Sequence, residues 1–233
     1  MSYPINYPTP QGANVQIFYA PASGENRVST WVKPQGASFV WFTLIGAGGG
    51  GDTATSGGGS GAVTNCIVPA FLIPDSLTVA VGLGGASNVA GANSSIYYGW
   101  NTSSGAYLLL NANGGQSGAG SYAGGTASTS NYFSAMGFFQ SVAGQSGSTG
   151  TQSASATTFL SGGAGGGNIT TGNYGYTGND VSVPGFFQMQ PIIVGVAAGA
   201  GAGLYGSQNR NAIGCGGGEY DYGGNGLVVI ITW

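Results

Sequence analysis

Residues 39–51 read FVWFTLIGAGGGG: seven residues, mostly aromatic or β-branched, run straight into a glycine cluster. Phe39 to Ile45 has the composition of a strand. Gly46 to Gly51 then satisfies G-x-G-x-x-G, the spacing of a dinucleotide-binding turn. That motif needs a helix opening at the loop, because free N–H groups at the helix N-terminus hold the pyrophosphate. The chain continues instead as DTATSGGGSGAVT (52–64). Glycine costs about 1 kcal/mol per helical position relative to alanine, and no apolar repeat at helical spacing is present. The stretch therefore reads as a core strand that leaves its sheet for a glycine layer, with glycine placed where backbones must bend or approach closely.

Composition explains why the motif arises without a nucleotide. Glycine (49) and proline (9) make up about a quarter of 233 residues, which reaches the range of low-complexity chains. Hydrophobic residues, at 42%, and aromatic residues, at 12%, are nevertheless plentiful, and charged residues are only 4%. Disordered chains show the opposite balance. The chain can build a core, and its length suits one domain.

Charge excludes whole classes of function. Arg27, Lys33 and Arg210 are the basic residues, too few to neutralise phosphates, so nucleic acid is not expected as a partner. The same count argues against a polybasic membrane patch. Histidine is absent, which removes Ser-His-Asp and Cys-His nucleophile activation and every histidine metal site. No metal or organic cofactor is expected. Cys66 and Cys215 could close a long loop as a disulfide or stand as two reduced, partly buried thiols.

The N-terminus, MSYPINYPTPQG, lacks the basic and apolar regions of a signal peptide. Its prolines predict an extended arm. The run from Ile192 to Leu204 is too short and too glycine-rich to span a bilayer, so no membrane insertion is expected. N-x-[ST] sequons at Asn93, Asn101 and Asn168 are chance matches in so Asn-, Ser- and Thr-rich a chain.

Short strand-like segments recur at roughly ten-residue spacing: Val15 to Tyr19, Arg27 to Val32, Phe39 to Ile45, Ala62 to Val68, Leu77 to Val81, Ile96 to Trp100, Tyr107 to Leu110 and Leu227 to Trp233. Each is bounded by Gly, Pro, Asn or Ser. Asn225-Gly226 reads as a tight turn before the last. The expected fold is all-β, an antiparallel sandwich or jelly roll. Residues 1–25 form the arm and first strand, and 26–233 a single domain.

From about Gly114 to Gly218 the texture changes to glycine, serine and threonine interrupted by aromatic clusters such as NYFSAMGFFQ (131–140), NYGYTG (173–178) and PGFFQMQP (184–191). Flexible linkers lack such aromatics. The region is expected to pack as a loop layer, with some glycine runs adopting polyproline II-type helices, which have no internal hydrogen bonds and must pair with neighbours when buried.

Several of these segments, in order, carry a resemblance. Trp31-Val32-Lys33-Pro34-Gln35-Gly36, the strand Phe39 to Ile45 with its glycine cluster, SGAV (60–63), LTVAVGLGG (77–85) and GGNGLVVIITW (223–233) are similar to the glycine-rich domains of phage tail-fibre and other virion surface proteins. The resemblance implies a β-sandwich whose first and last strands share a sheet, with the glycine-rich loops as a distal layer, often in a trimer or at a fibre tip. It implies a protein assembled in the host cytoplasm into a virion, with other virion proteins as partners.

A nearly uncharged surface rich in Ser, Thr, Asn, Gln and Tyr suits neutral host-surface glycans, with aromatic faces stacking on sugar rings and polar groups reading hydroxyls. The candidate binding residues are Tyr97, Tyr98, Trp100, Tyr122, Tyr132, Tyr174, Tyr176 and Tyr205. Against each stands the plainer alternative of a core or subunit-interface aromatic. Glu219 and Asp221 form the close acidic pair. Catalysis or, with Asp180, calcium binding by such a pair is the weaker reading, since acids before a turn are commonly solvated. A non-catalytic attachment protein is the leading expectation, with a minor capsid or cement protein and an ice- or surface-binding protein as alternatives.

Overall fold

The computed structural model describes residues 13–20, 28–53, 56–99, 107–128, 133, 138–147, 181–183, 192–194, 213–218 and 220–233. They form β1 (Asn14–Tyr19), β2 (Val28–Val32), β3 (Phe39–Ile45), β4 (Val63–Pro69), a 3-10 turn (Ala70–Leu72), β5 (Ser76–Ala80), β6 (Ser94–Tyr98), β7 (Tyr107–Ala112), β8 (Phe138–Val142), β9 (Val181–Val183), β10 (Ile192–Val194) and β11 (Leu227–Thr232). One antiparallel sheet has the order β1-β11-β3-β4-β8 and a second β2-β5-β6-β7, while β9 and β10 pair separately. The fold is all-β, and no α-helix occurs among the described residues.

The two sheets close over one core. Val40, Phe42 and Leu44 of β3, Cys66 and Val68 of β4, and Val228 and Ile230 of β11 meet Trp31, Leu77, Val79, Ile96 and Leu110 from the second sheet. Trp31 and Phe42 make an edge contact across the sandwich, with ring centroids 6.1 Å apart. Alternate residues of the same strands, Trp41, Ile45, Val63, Leu227, Val229 and Ile231, form a second buried cluster on the opposite face of the five-stranded sheet. Burial on both faces is why β3 and β11 read as unbroken apolar runs. At the foot of the sandwich Lys33 Nζ donates to the carbonyls of Ala70 (3.2 Å) and Ile73 (2.8 Å) and pairs with Asp75 (3.0 Å).

Above the sandwich the strands continue as glycine rods. β3 runs on into 46–51, and all six backbone N–H groups there donate to other segments. Gly46 and Gly49 bond the carbonyls of Ala62 and Gly59, Ala47 and Gly50 those of Ala92 and Val89, and Gly48 and Gly51 those of Gly224 and Asp221. The partner therefore repeats every third residue, the repeat of a polyproline II helix. The carbonyls of this rod accept in turn from Gly115 and Gly118, from Gly85 and Asn88, and from Gly217. Residues 46–51 are the axis of a bundle with neighbours on six sides. The rod 57–62 follows the same rule, its N–H groups reaching Gly217 and Gly214, then Gln116 and Asn113, then Gln145.

Glycine is needed here for space. A Cβ on Gly48 would lie closer than 3.0 Å to the backbone of Cys215, one on Gly49 to Gln116, and one on Gly59 to Ala123. None of these three has positive φ, so of the two uses expected of glycine, bending and close approach, these sites show close approach. A phosphate-binding role for Gly46–Gly51 is likewise ruled out in this fold, since the N–H groups it would use are all bonded to carbonyls.

Two further readings are corrected. Asn225-Gly226 is not a tight turn: Gly226 has no positive φ, its N–H bonds Gly82 O, and Asn225 Oδ1 accepts from Gly84 N (3.0 Å), so the rod enters β11 directly. Phe138 to Val142, grouped with the loop layer in sequence, is a strand paired to β4. The chain's first strand does lie beside its last, with Ile17 opposite Val229, whereas the Trp31-Val32 strand belongs to the other sheet.

Candidate functional site

Strands β3, β5 and β7 all rise from the sandwich into rods, so the turns after those rods gather at the far end of the bundle. Four lie together. In the turn 52–56, Asp52 N donates to Ser56 O and Ser56 N to Asp52 Oδ1, each at 2.8 Å. In the turn 86–89, Val89 N bonds Ala86 O. Gly51 O accepts there from Asn88 N (2.8 Å) and Ser87 Oγ (3.1 Å). In the turn 117–122, Ser117 O accepts from both Gly120 N and Tyr122 N. In the turn 218–221, Asp221 N bonds Gly218 O, and Tyr220 N reaches across to Asp52 O.

Among the described residues the non-glycine ones with positive φ are Asn88 (64°), Tyr122 (44°) and Tyr220 (62°), and all three sit in these turns. Asparagine tolerates that region, but for a bulky tyrosine it is an outlier costing about 1–2 kcal/mol. Strain of this kind persists where the surrounding structure enforces it, and it clusters at functional sites. Here the rods enforce it: Gly147 N donates to Tyr122 O at 2.7 Å, and the Tyr220 amide is held by Asp52. The result is two aromatic side chains on rigid backbone at an end that also carries Asp52, Ser87, Asn88 and the exposed Val89. Tyr122 is exposed, and Tyr220 and Tyr222 are half-buried.

Asp221 lies beneath this surface. Its side chain is buried, and burial pushes the carboxyl up to about 6. Glu219 and Asp180, its proposed companions, lie outside the described residues. Among the described residues no three acidic, cysteine or histidine side chains come together to hold a metal. Cys66 and Cys215 are both buried thiols and no disulfide joins them. Cys66 lies in the sandwich core, where burial raises its pKa to about 12; Cys215 lies among the rods, its carbonyl accepting from Gly224 N.

The candidate aromatics do not converge. Tyr122 is at the tip, whereas Tyr97 and Tyr98 are on β6, Tyr98 at its foot and 50% exposed. At ~3.1 Å per rod residue and ~3.3 Å per strand residue, they stand roughly 30 Å below the tip. Trp100, Tyr132, Tyr174, Tyr176 and Tyr205 lie outside the described residues. Sequence reasoning missed Asp52, Asn88 and Tyr220 as tip residues. Ser87-Asn88, a pair suited to turns, was the available signal, and EYDYGG was weighed only for its carboxylates.

No curated protein matches the chain. The family model of the glycine-rich domain matches residues 23–230, a span that begins after β1, takes in the other strands, the rods and the tip, and ends within β11. The chain is a member of the glycine-rich domain family.

Proposed function

We propose that the chain is a structural protein of a virion surface, a host-attachment tip that binds neutral glycans through its distal turns and catalyses no reaction. The observation that carries this reading is the pair Tyr122 and Tyr220, held at positive φ on the end of a rigid rod bundle. Fixed aromatic faces beside Asp52, Ser87 and Asn88 are the groups that stack on a sugar ring and read its hydroxyls. A preorganised surface loses little entropy on binding, and low charge suits an uncharged ligand. In this reading the protein is assembled in the host cytoplasm and meets other virion proteins at the foot of the sandwich.

A glycan array probed with the full chain, followed by Tyr122→Ala and Tyr220→Ala, tests it. Binding lost in both variants, with folding retained and Tyr98→Ala unaffected, is the expected result. Retained binding in both tip variants removes the tip from recognition. Immunogold labelling of particles tests the virion setting separately.

A capsid or cement role is the second reading, favoured by the exposed aromatics at the opposite end, Phe71 (83%) and Tyr107 (73%). Binding of assembled particles by a chain whose tip tyrosines are both alanine would support it.

A further inference from the structure

The five-stranded sheet has an open margin at β1 among the described residues. Natural edge strands are guarded against pairing by lysine, proline, bulges or inward charge. β1, NVQIFY, has none of these, and its ladder with β11 runs from Asn14 to Tyr19 without a bulge. The other margin differs. On β8, Phe139 packs against the core, and Ser141 Oγ is shared with Thr64 Oγ1 at 2.9 Å.

The side chains of β1 also point to a partner. Val15, Ile17 and Tyr19 lie opposite Ile231, Val229 and Leu227, which belong to the apolar cluster on the outward face of the sheet. The three β1 residues extend that layer to the margin, yet they are 49%, 48% and 66% exposed. An apolar stripe on an uncharged strand whose outer edge is open among the described residues is a template for another strand.

We infer that the β1 margin is a self-association surface, on which a second copy of this chain pairs its own β1 antiparallel across a two-fold axis. Two features favour a copy of the same chain. An isologous contact sets each patch against itself, and residues 14–19 carry no charge to repel their counterparts, in a chain whose net charge is only −3. The register also follows from the alternation. Residues directly opposite must share a face, so the outward layer stays continuous only in registers that keep odd residues opposite odd ones. Centring on Ile17 does this and pairs all three outward residues, Val15, Ile17 and Tyr19. Ile17 then faces Ile17 of the second copy and Val15 faces its Tyr19, a β-branched–aromatic pair of the kind that stabilises antiparallel strands. The two five-stranded sheets become one, and both tips remain clear of the contact. This two-fold pair differs from the three-fold assembly implied by the virion-protein resemblance, and it stands whatever the tip binds.

Sedimentation of the full chain, with Ile17→Cys and Ile17→Lys, tests the inference. Cα atoms across an antiparallel pair lie about 4.5–5.5 Å apart, within disulfide range, and the two native thiols are buried. The expected results are a two-chain species, its quantitative cross-linking in oxidised Ile17→Cys but not in Ser29→Cys on the neighbouring margin, and its loss in Ile17→Lys. A native chain that sediments as a monomer or a trimer overturns the inference. So does a two-chain species in which Ile17→Cys fails to cross-link. If Ile17→Lys does not fold, the milder cysteine variant decides alone.

Discussion

The two halves of this molecule solve the problem of burial by opposite means. In the sandwich, side chains interdigitate: Trp31 meets Phe42, and Leu77, Val79 and Ile96 fill the space between sheets. In the rods, backbone meets backbone, and Gly46, Gly48, Gly49 and Gly50 have no room for even a methyl group. Sandwich stability comes from apolar area removed from water, about 25 cal/mol per Å². Rod stability comes from hydrogen bonds worth about 1 kcal/mol each, against the large entropy that glycine loses on ordering. A sheet gives each strand two bonded neighbours, whereas the axial rod has them on six sides. The sandwich should therefore tolerate exchange of one apolar side chain for another, and the closely approached glycines of the rods should tolerate almost no side chain.

The sharpest way to break the comparison is Gly48→Ala. Its Cβ would collide with backbone of Cys215 and Gly216 that is itself bonded into the bundle. The loss is expected to exceed the ~1–3 kcal/mol of ordinary overpacking, and thermal unfolding of the variant should show it or a failure to fold. A core exchange such as Leu77→Met should cost under about 1.5 kcal/mol. Equal losses would mean that the two halves do not differ as described.

The junction is next. Ser94, fully buried, accepts from Gly82 N (3.0 Å) and donates to Ile45 O (2.6 Å), pinning a rod to the top of β3. Ser94→Ala should cost about 1–3 kcal/mol by leaving buried backbone groups unmatched. Faster hydrogen exchange at Gly82 than at Phe42 would place the loss at the junction.

A smaller, pH-dependent effect belongs to Asp221. Its folded-state pKa, about 6, lies above the ordinary 3.8, so the fold disfavours the charged form. That penalty is present in full above about pH 6 and fades as the carboxyl is protonated, so this residue's contribution to stability improves on acidification. Asp221→Asn should raise Tm at pH 7.5 and converge with the native chain near pH 4. An equal gain at both pH values would sink the assignment. The smallest effect is expected for Gly120→Ala, where the nearest atom to a new Cβ is Ser117 Oγ at 3.5 Å. A near-unchanged Tm there would show that the rods' intolerance is steric rather than a property of glycine-rich sequence in general.

The sandwich was legible because its signal is carried by side chains. The aromatic and β-branched composition and the bounding turn residues mark Phe39–Ile45 to the residue, and most other strands to within two. Phe138–Val142 was not, since its two phenylalanines sit in a serine- and glycine-rich stretch that resembles its surroundings. The rods were only half legible. Their three-residue period lies in the bonding partners, and in the axial rod, where five of the six residues 46–51 are glycine, that period leaves no trace in the letters. At the tip, Tyr122 was among the chosen aromatics by residue type alone. Nothing in the sequence around Tyr220 announces a left-handed tyrosine, because a neighbouring rod imposes that conformation.

The bonding of the axial rod also sets an order of events in folding. Residues 46–51 make none of their backbone N–H bonds to one another, and their partners lie as far along the chain as Gly224. Such a rod cannot nucleate alone, as a helix can, and each pairing must first bear the loop-closure entropy of distant segments. The sandwich bears most of that cost by bringing the roots of the rods together. Assembly should then advance from Gly46 outward, with the turns at the far end settling last.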